Sequence, residues 1–337
     1  MRIAVDAAGG DHAPRNVVAG ALVAARHLGF GLTLVGPPRS IDDELLRHPE
    51  ADAVDLRVVP APDVVAMDEG PAALRRKPRA SVRVAAETVA RGDAAGFFSA
   101  GNTGATLVAA HGAFGMLPGV DRPALATRIP TLQRDAVLLD VGATVGCRPC
   151  HLVQFAAMGT VYAGTMLAIE RPRVGLLSIG EESTKGNDLT REAHRLLSRG
   201  PLRFIGNIEA RDVYSGAADV IVCDGFTGNV ALKVSEGLVE VIEELLRDEL
   251  GRTFTTQLGY LLSQRAFRRF RRRVDYSEYG GAPLLGVAGL AMVGHGRSSV
   301  KAVRNALALT YRFVRAEFLD TIAARLAPPA PLLERAQ

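Results

Sequence analysis

The sequence predicts an α/β fold in which a mostly parallel sheet is covered by helices on both faces. Three observations carry that expectation. Short aliphatic or β-branched runs alternate with longer helical patterns almost from end to end. Glycine is abundant, at 35 of 337 residues, and several glycines fall where a strand hands over to a helix. Hydrophobic residues make up 48% and charged residues 23%, the balance of a folded globular chain and not of a disordered one. Strand-helix alternation implies right-handed crossovers, hence parallel neighbours buried on both faces. No low-complexity linker divides the chain, so 1–326 reads as one α/β body, with 327–337 expected to be a disordered tail.

The elements follow in order. Arg2–Asp6 is an aliphatic strand, and Pro14 opens a helix over 14–28 at the position where its missing N–H costs nothing. Gly31–Val35 and Asp55–Val59 are the next strands, flanking a helix at 39–48. A helix at 80–91, the strand Ala95–Ser99 and a helix at 103–115 continue the alternation. Ala136–Val141, a helix at 151–169 and Val174–Ile179 form a further strand-helix-strand unit. Then come a helix at 188–199 and the strands Leu202–Ile205 and Val220–Cys223. From 228 to 275 the alternation fails and helical pattern follows helical pattern, beginning with 228–250, so this stretch reads as a helical insertion. Leu290–Val293 and a helix at 299–319 close the fold.

Several function classes are excluded at this stage. The formal net charge of +4 is too mild to demand nucleic acid or a membrane by itself. The N-terminal run has an acid at Asp6 and no continuous apolar stretch, so it does not read as a secretory signal, and a cytoplasmic protein is expected. The uncharged stretch 152–169 is short for a bilayer span and reads as a buried core helix. Cys147-Arg148-Pro149-Cys150-His151 spells C-x-x-C-H, the pattern of c-type haem attachment and half a zinc site. Haem attachment needs export, and zinc needs a second ligand pair that Cys223 alone does not supply, so no metal and no cofactor are expected. There is no G-x-x-x-x-G-K-[ST], no G-x-G-x-x-G and no G-x-S-x-G, which removes P-loop, dinucleotide and serine-elbow chemistry.

A recurring device remains. Four of the six asparagines directly follow glycine, in Gly101-Asn102, Gly186-Asn187, Gly206-Asn207 and Gly228-Asn229, and three of these pairs stand shortly after a predicted strand end. Ligands of open α/β sheets bind outside the carboxyl ends of the strands, and a Gly-rich turn opening a helix offers free N–H groups to an anion. Phosphate is the expected guest, held by Ser99, Gly101, Asn102, Thr103 and Gly104, with Asn187 beside it and Lys185 as a point charge. Lysine itself is rare, at Lys77, Lys185, Lys233 and Lys301 only, among 40 basic residues, which marks each as chemically notable because arginine does not replace it. At the first turn, Gly9, Gly10, Asp11 and His12 stand beside the same site, with His12 as proton donor, anion contact or capping residue.

The motifs MRIAVDAAGGDHAP, FFSAGNTGATLVAA, LLDVGA, GLLSIGEESTKGN, FIGNIEARD, CDGFTGNVALKVSEG and GGAPLLGVAGLAMVGHGRSSVKAVRNAL closely resemble the bacterial phosphate acyltransferase family, the PlsX-type acyl-ACP:phosphate acyltransferases. The resemblance runs in the same order from residue 1 to about 318. It implies a Rossmann-like three-layer sandwich related to phosphotransacetylases, a homodimer, and transfer of a fatty acyl group from acyl carrier protein to inorganic phosphate. The resulting acyl phosphate would begin phospholipid synthesis, on a cytoplasmic enzyme loosely associated with the membrane next to the glycerol-3-phosphate acyltransferase that uses it. Three positions depart from the family's pattern. Ala8 stands where methionine is usual, and Thr144 and Gly146 replace an asparagine and an acid in the loop ending at Pro149.

Such a reaction asks for positioning and charge stabilisation more than for a strong base. Lys185 and Asn187 would hold phosphate, Thr227, Gly228 and Asn229 would face the thioester carbonyl, and Asp224 would orient these groups. Lys233, one helical turn beyond Asn229, would enter the same site, and His295 rivals His12 as the acid. The acidic carrier needs a basic docking face. One candidate is Arg75 to Arg79. The other is Arg265 to Arg273, where Arg268, Arg269, Arg271 and Arg272 alternate with Phe267 and Phe270 beside Leu261 and Leu262, a pattern that also suits an anionic membrane surface or a subunit contact. A phosphotransacetylase-like enzyme using acyl-CoA, and a nonenzymatic nucleic-acid binder built on those arginines, are the rival readings. The scarcity of aromatic platforms counts against the latter, so no nucleic-acid partner is expected.

Overall fold

The computed structural model describes residues 1–274 and 280–326, so the 327–337 tail and the last residue of the 228–275 segment lie outside the described residues. An 11-stranded sheet runs through it in the order β3-β2-β1-β4-β11-β10-β5-β6-β9-β7-β8. In chain order the strands are β1 (Arg2–Asp6), β2 (Gly31–Gly36), β3 (Leu56–Pro60), β4 (Phe97–Ser99), β5 (Ala124–Ile129), β6 (Ala136–Leu139), β7 (Val174–Ser178), β8 (Phe204–Glu209), β9 (Val220–Val222), β10 (Ala282–Leu285) and β11 (Ala291–Val293). The helices are α1 (Arg15–Leu28), α2 (Pro38–Leu45), α3 (Ala73–Arg76), α4 (Ser81–Ala90), α5 (Thr103–Phe114), α6 (Pro149–Leu167), α7 (Asp188–Arg199), α8 (Gly225–Gly251), α9 (Phe254–Val274), α10 (Val300–Arg315) and α11 (Phe318–Leu326).

The sheet has two parallel parts, β3-β2-β1-β4-β11 and β6-β9-β7-β8. They are joined by an antiparallel seam in which β10 pairs with both β11 and β5, and β5 pairs with β6. Each part follows the expected strand-helix alternation, and its inner strands are aliphatic because both faces are covered: every residue of β2 and β6 is buried. The expected helix at 151–169 is α6, whose Leu152, Phe155, Met158 and Tyr162 are buried against β6 and β9. No helix among the described residues is long and apolar enough to cross a membrane.

Both joining strands, β5 and β10, were absent from the sequence expectation. β10 has only four residues and carries Pro283 within it, and neither strand is followed by the helix that marks a parallel unit. The expected helix at 299–319 is two helices, α10 and α11, broken where Glu317 adopts a positive φ of 48°. Between β9 and β10 the described chain is helical only, as α8 and α9.

Near the start of β9 a buried ion cluster ties strand starts together. Asp219 is 1% exposed and accepts from the Arg173 backbone N–H and guanidinium, while Arg134 reaches the same carboxylate at 2.9 Å. Burial opposes ionisation of Asp219, but Arg173, with Arg134 behind it, prevails and holds the carboxyl below its ordinary range. A carboxylate whose pKa is lowered on folding stabilises above its unfolded value and loses that contribution as pH falls through the folded value, here below about pH 4. Asp219→Ala, which leaves two guanidinium groups without their carboxylate, is expected to cost about 2–4 kcal/mol at pH 7 in urea unfolding. The gap between variant and parent should narrow below about pH 4.

Candidate active site

Two buried carboxylates organise the carboxyl ends of the two parallel parts. Asp6, at the end of β1, accepts from the Ser99 hydroxyl at 2.7 Å and from the Ala8 N–H at 3.3 Å. Ser99 Oγ in turn accepts from the Gly101 N–H, so the turns after β1 and β4 are tied side by side. They approach so closely that a Cβ on Gly9 would stand 2.5 Å from Asp6 Oδ2 and 2.8 Å from Gly101 N, which is why glycine is needed there. Burial pushes the Asp6 carboxyl up from its ordinary value. Asp140, just beyond β6, is fully buried and accepts from the N–H groups of Leu125, Gly142, Ala143 and Thr144. Its backbone carbonyl packs so tightly on α8 that any side chain at Gly228 would collide with it.

Between these two anchored loop sets, over the antiparallel seam, lies a cleft of about 970 Å³, within the range of small-molecule sites. Its polar end is formed by Asp11, Thr103, Gly104, Gly142, Asn229, Lys233 and His295. Its remaining wall is largely apolar, with Leu125, Ile129, Pro130 and Val141 on one side and Leu232, Leu238 and Val239 of α8 on the other. Along α8 the lining positions 229, 232, 236, 239 and 243 recur every three or four residues, so one face of the helix borders the cleft for about 20 Å.

The polar end has a defined donor geometry. Lys233 Nζ is held by Glu236 Oε2 at 2.8 Å and lies 3.3 Å from His295 Nε2. Both ring nitrogens of His295 face a donor, Nδ1 the Arg297 N–H at 3.2 Å and Nε2 the Lys233 ammonium, and the neutral ring accepts from one of them at a time. Burial, followed by the Lys233 charge, lowers the His295 pKa, so the ring is neutral at pH 7. In the tautomer in which Nδ1 accepts from Arg297, the Nε2–H and the Lys233 ammonium converge, and one acceptor oxygen can bond to both.

Of the residues singled out in the sequence, Asp11, Thr103, Gly104, Asn229, Lys233 and His295 come together in this cleft. Gly9, Gly10, Ser99, Gly101 and Gly228 lie behind it as the packed turns just described. Asn102 and Asn187 cap α5 and α7, accepting from Ala105 N and Thr190 N. Both amide hydrogens of Asn102 are committed to the carbonyls of Met67 and Glu69. Asp224 caps α8, accepting from the N–H groups of Phe226 and Thr227 and from the Thr227 hydroxyl.

Lys185 and Asn187 follow β7, which β9 separates from β6, and neither lines the cleft, so the expected phosphate-binding set is divided. His12 is exposed and does not line the cleft either. Sequence reasoning passed over Glu236, although its spacing of three from Lys233 on a helix is the signal for such a pair.

The arginine run also divides. Arg271 pairs with Glu243 of α8 and lines the cleft, and Arg273 donates to the carbonyls of Thr131 and Leu132. Arg265, Arg268, Arg269 and Arg272 recur at helical spacing on α9 and are exposed or nearly so, as are Leu261, Leu262 and Phe270, while Phe267 stacks on Tyr260. At the C-x-x-C-H motif, Cys150 and His151 gather with Asp121, with ligand atoms within 4.8 Å of one another. Arg148 occupies this cluster, since its backbone N–H and its guanidinium both reach the His151 ring. Cys147 turns to the Thr144 carbonyl, and burial pushes its thiol up to about 11.

The profile of the fatty acid synthesis protein family matches residues 1–321. A phosphate acyltransferase of Geobacter sulfurreducens is 48% identical over 316 residues, covering 94% of this chain and 91% of its own. One of Acidobacterium capsulatum is 49% identical over 329 residues, covering 97% and 98%. Among solved structures, a phosphotransacetylase from Streptococcus pyogenes superposes with a TM-score of 0.60 at 16% identity, covering 97% of this chain and 94% of its own. A branched-chain phosphotransacylase from Enterococcus faecalis superposes with a TM-score of 0.57 at 14% identity, covering 93% and 99%. At these identities the two structures establish the shared α/β fold.

The anchoring of the loops is testable without any assay of activity. Asp140→Asn turns an acceptor into a donor against the Thr144 or Leu125 N–H. It is expected to lower stability by about 2–3 kcal/mol and to speed amide exchange at 142–144; unchanged exchange there would remove Asp140 from its anchoring role.

Proposed function

Because this chain belongs to the fatty acid synthesis protein family, we propose that its cleft transfers a fatty acyl group from the thioester of acyl carrier protein to inorganic phosphate. The observation that carries this reading is the cleft itself, in which cationic and N–H donors at one end continue into a long, largely apolar wall at the other. Phosphate sits at the donor end, bonded by Lys233 Nζ and His295 Nε2, and the acyl chain lies along β5 and α8. The thioester carbonyl then meets the phosphate oxygen near Asn229 and the start of α5, where Thr103 and Gly104 present the helix N-terminus.

The reaction needs no strong base, because phosphate is largely dianionic at neutral pH. A phosphate oxygen attacks the carbonyl carbon, the tetrahedral oxyanion is held by N–H donors, and the carbon–sulfur bond breaks to release the pantetheine thiolate. The acyl phosphate formed is the activated acyl group from which phospholipid synthesis starts.

The exposed α8 residues Val230, Val234, Val241, Ile242 and Leu245 support a homodimer in which a second copy covers them. The exposed arginine face of α9, flanked by Leu261, Leu262 and Phe270, supports peripheral binding to anionic membrane on the cytoplasmic side, close to the glycerol-3-phosphate acyltransferase. Exposed Arg75, Arg76 and Arg79 support docking of the acidic carrier.

Release of free thiol from palmitoyl carrier protein is expected to require phosphate, and palmitoyl-CoA to be the poorer donor; efficient, phosphate-dependent use of the CoA thioester alone would favour a phosphotransacetylase-like enzyme. Lys233→Ala is expected to raise the phosphate KM at least about tenfold, the weight of one charge-assisted contact, while Lys185→Ala stays within about threefold of the parent. In liposome flotation with anionic vesicles, joint replacement of Arg265, Arg268, Arg269 and Arg272 by Ser is expected to abolish co-flotation at low salt. Undiminished flotation would remove α9 as the contact.

A further inference from the structure

Asp11 is an anomaly in a site for an anion. Its carboxylate lies at the polar end of the cleft that also holds Lys233 and His295, over the turn at Gly296, where a Cβ would stand 3.3 Å from Asp11 Oδ2. The Asp11 N–H donates to the Gly296 carbonyl at 2.9 Å, so the backbone fixes where the carboxylate stands. Gly10, at a φ of +104°, delivers the chain into that position. Yet among the described residues the carboxylate has no bonded partner. Among the described residues it accepts no hydrogen bond and pairs with no cation, and α1 is not capped by it. The other acid at this end, Glu236, is committed to Lys233.

A bare carboxylate facing a fully ionised anion is repulsive, and it offers only lone pairs. The two common tetrahedral dianions differ in one respect that matters here. Phosphate near neutral pH still carries at least one P–OH hydrogen, which a carboxylate accepts in a charge-assisted bond, whereas sulfate carries none. We propose that Asp11 is a specificity-determining residue that accepts the remaining hydrogen of hydrogen phosphate and excludes sulfate from the acceptor position. Lys233 and His295 hold the unprotonated oxygens, and Asp11 reads the protonated one. Discrimination of this kind comes from a repulsive element against the wrong ligand as much as from an attraction to the right one. The inference rests on the phosphate-acceptor reading above and adds to it the means of selection.

Calorimetric titration of the full chain with sodium phosphate and sodium sulfate at pH 7.5 tests both layers separately. The parent is expected to bind phosphate about 100-fold more tightly than sulfate, the sum of one charge-assisted bond gained and one repulsion avoided. In Asp11→Asn, whose amide donates to either anion, phosphate should weaken, sulfate should strengthen, and the ratio should fall to within about tenfold. Asp11→Ala, which removes the bond to phosphate and the repulsion of sulfate together, should narrow the ratio from both sides. A parent that binds the two anions equally, or variants that keep its ratio, would overturn the role of Asp11 while leaving the acceptor reading intact. A parent that binds neither would overturn the acceptor reading and this inference with it.

Discussion

The turns that border the cleft after β1, β4 and β6 depend on two carboxylates buried beneath them. Asp6 gathers the turns after β1 and β4 through Ser99, and Asp140 collects four backbone N–H groups after β6 and in β5. A buried carboxylate is costly unless its lone pairs are filled, so each one compels its neighbouring backbone into a single arrangement. The glycines at 9 and 228 follow from this, because backbone drawn so close leaves no room for a Cβ. The cleft is the space left between the two anchored loop sets, above a seam of antiparallel strands that joins two parallel parts.

This arrangement separates two chemistries along one helix. The first turns of α8 present Asn229 and Lys233 to the loops held by Asp140 and to the turn at His295. Further along the helix the cleft lining turns to Leu238 and Val239. A rigid helix bordering both ends fixes the distance between a polar head and an apolar tail more closely than loops would. The structural relatives share the sheet at low identity, so the fold alone does not choose a substrate; residues of the cleft have to do so.

Much of this was legible in the sequence, and what escaped notice escaped for physical reasons. Parallel strands buried on both faces read as plain aliphatic runs, and all nine of the expected strands have counterparts in the sheet, whereas β5 and β10, antiparallel and followed by no helix, carry no such signature. Two of the four Gly-Asn pairs stand at helix starts, Gly228-Asn229 falls in the first turns of α8 and Gly206-Asn207 falls inside β8, and capping and ligand binding ask for the same short polar side chain. Asn102 and Asn187 are caps and Asn229 lines the cleft, a difference no spacing records. The rarity of lysine pointed at Lys233 and Lys185 alike, but only the fold places one inside the cleft and the other outside it. The six arginines from 265 to 273 looked like one patch until helical phase turned Arg271 inward to Glu243 and tied Arg273 to the β5–β6 connection. Thr144, which departs from the family pattern, shows why that loop tolerates change: its N–H serves Asp140 and its hydroxyl the Pro123 carbonyl, both scaffolding tasks.

The claim on which the functional account turns is that one cleft holds the phosphate and the acyl chain together. A crystal structure of the protein with a long-chain acyl phosphonate, which cannot be hydrolysed, measures this directly. The account predicts the phosphonate between Lys233 Nζ and His295 Nε2, with the chain running along Leu125, Ile129 and the inner face of α8. A phosphonate seated at Lys185 and Asn187, with the chain outside this cleft, would contradict it.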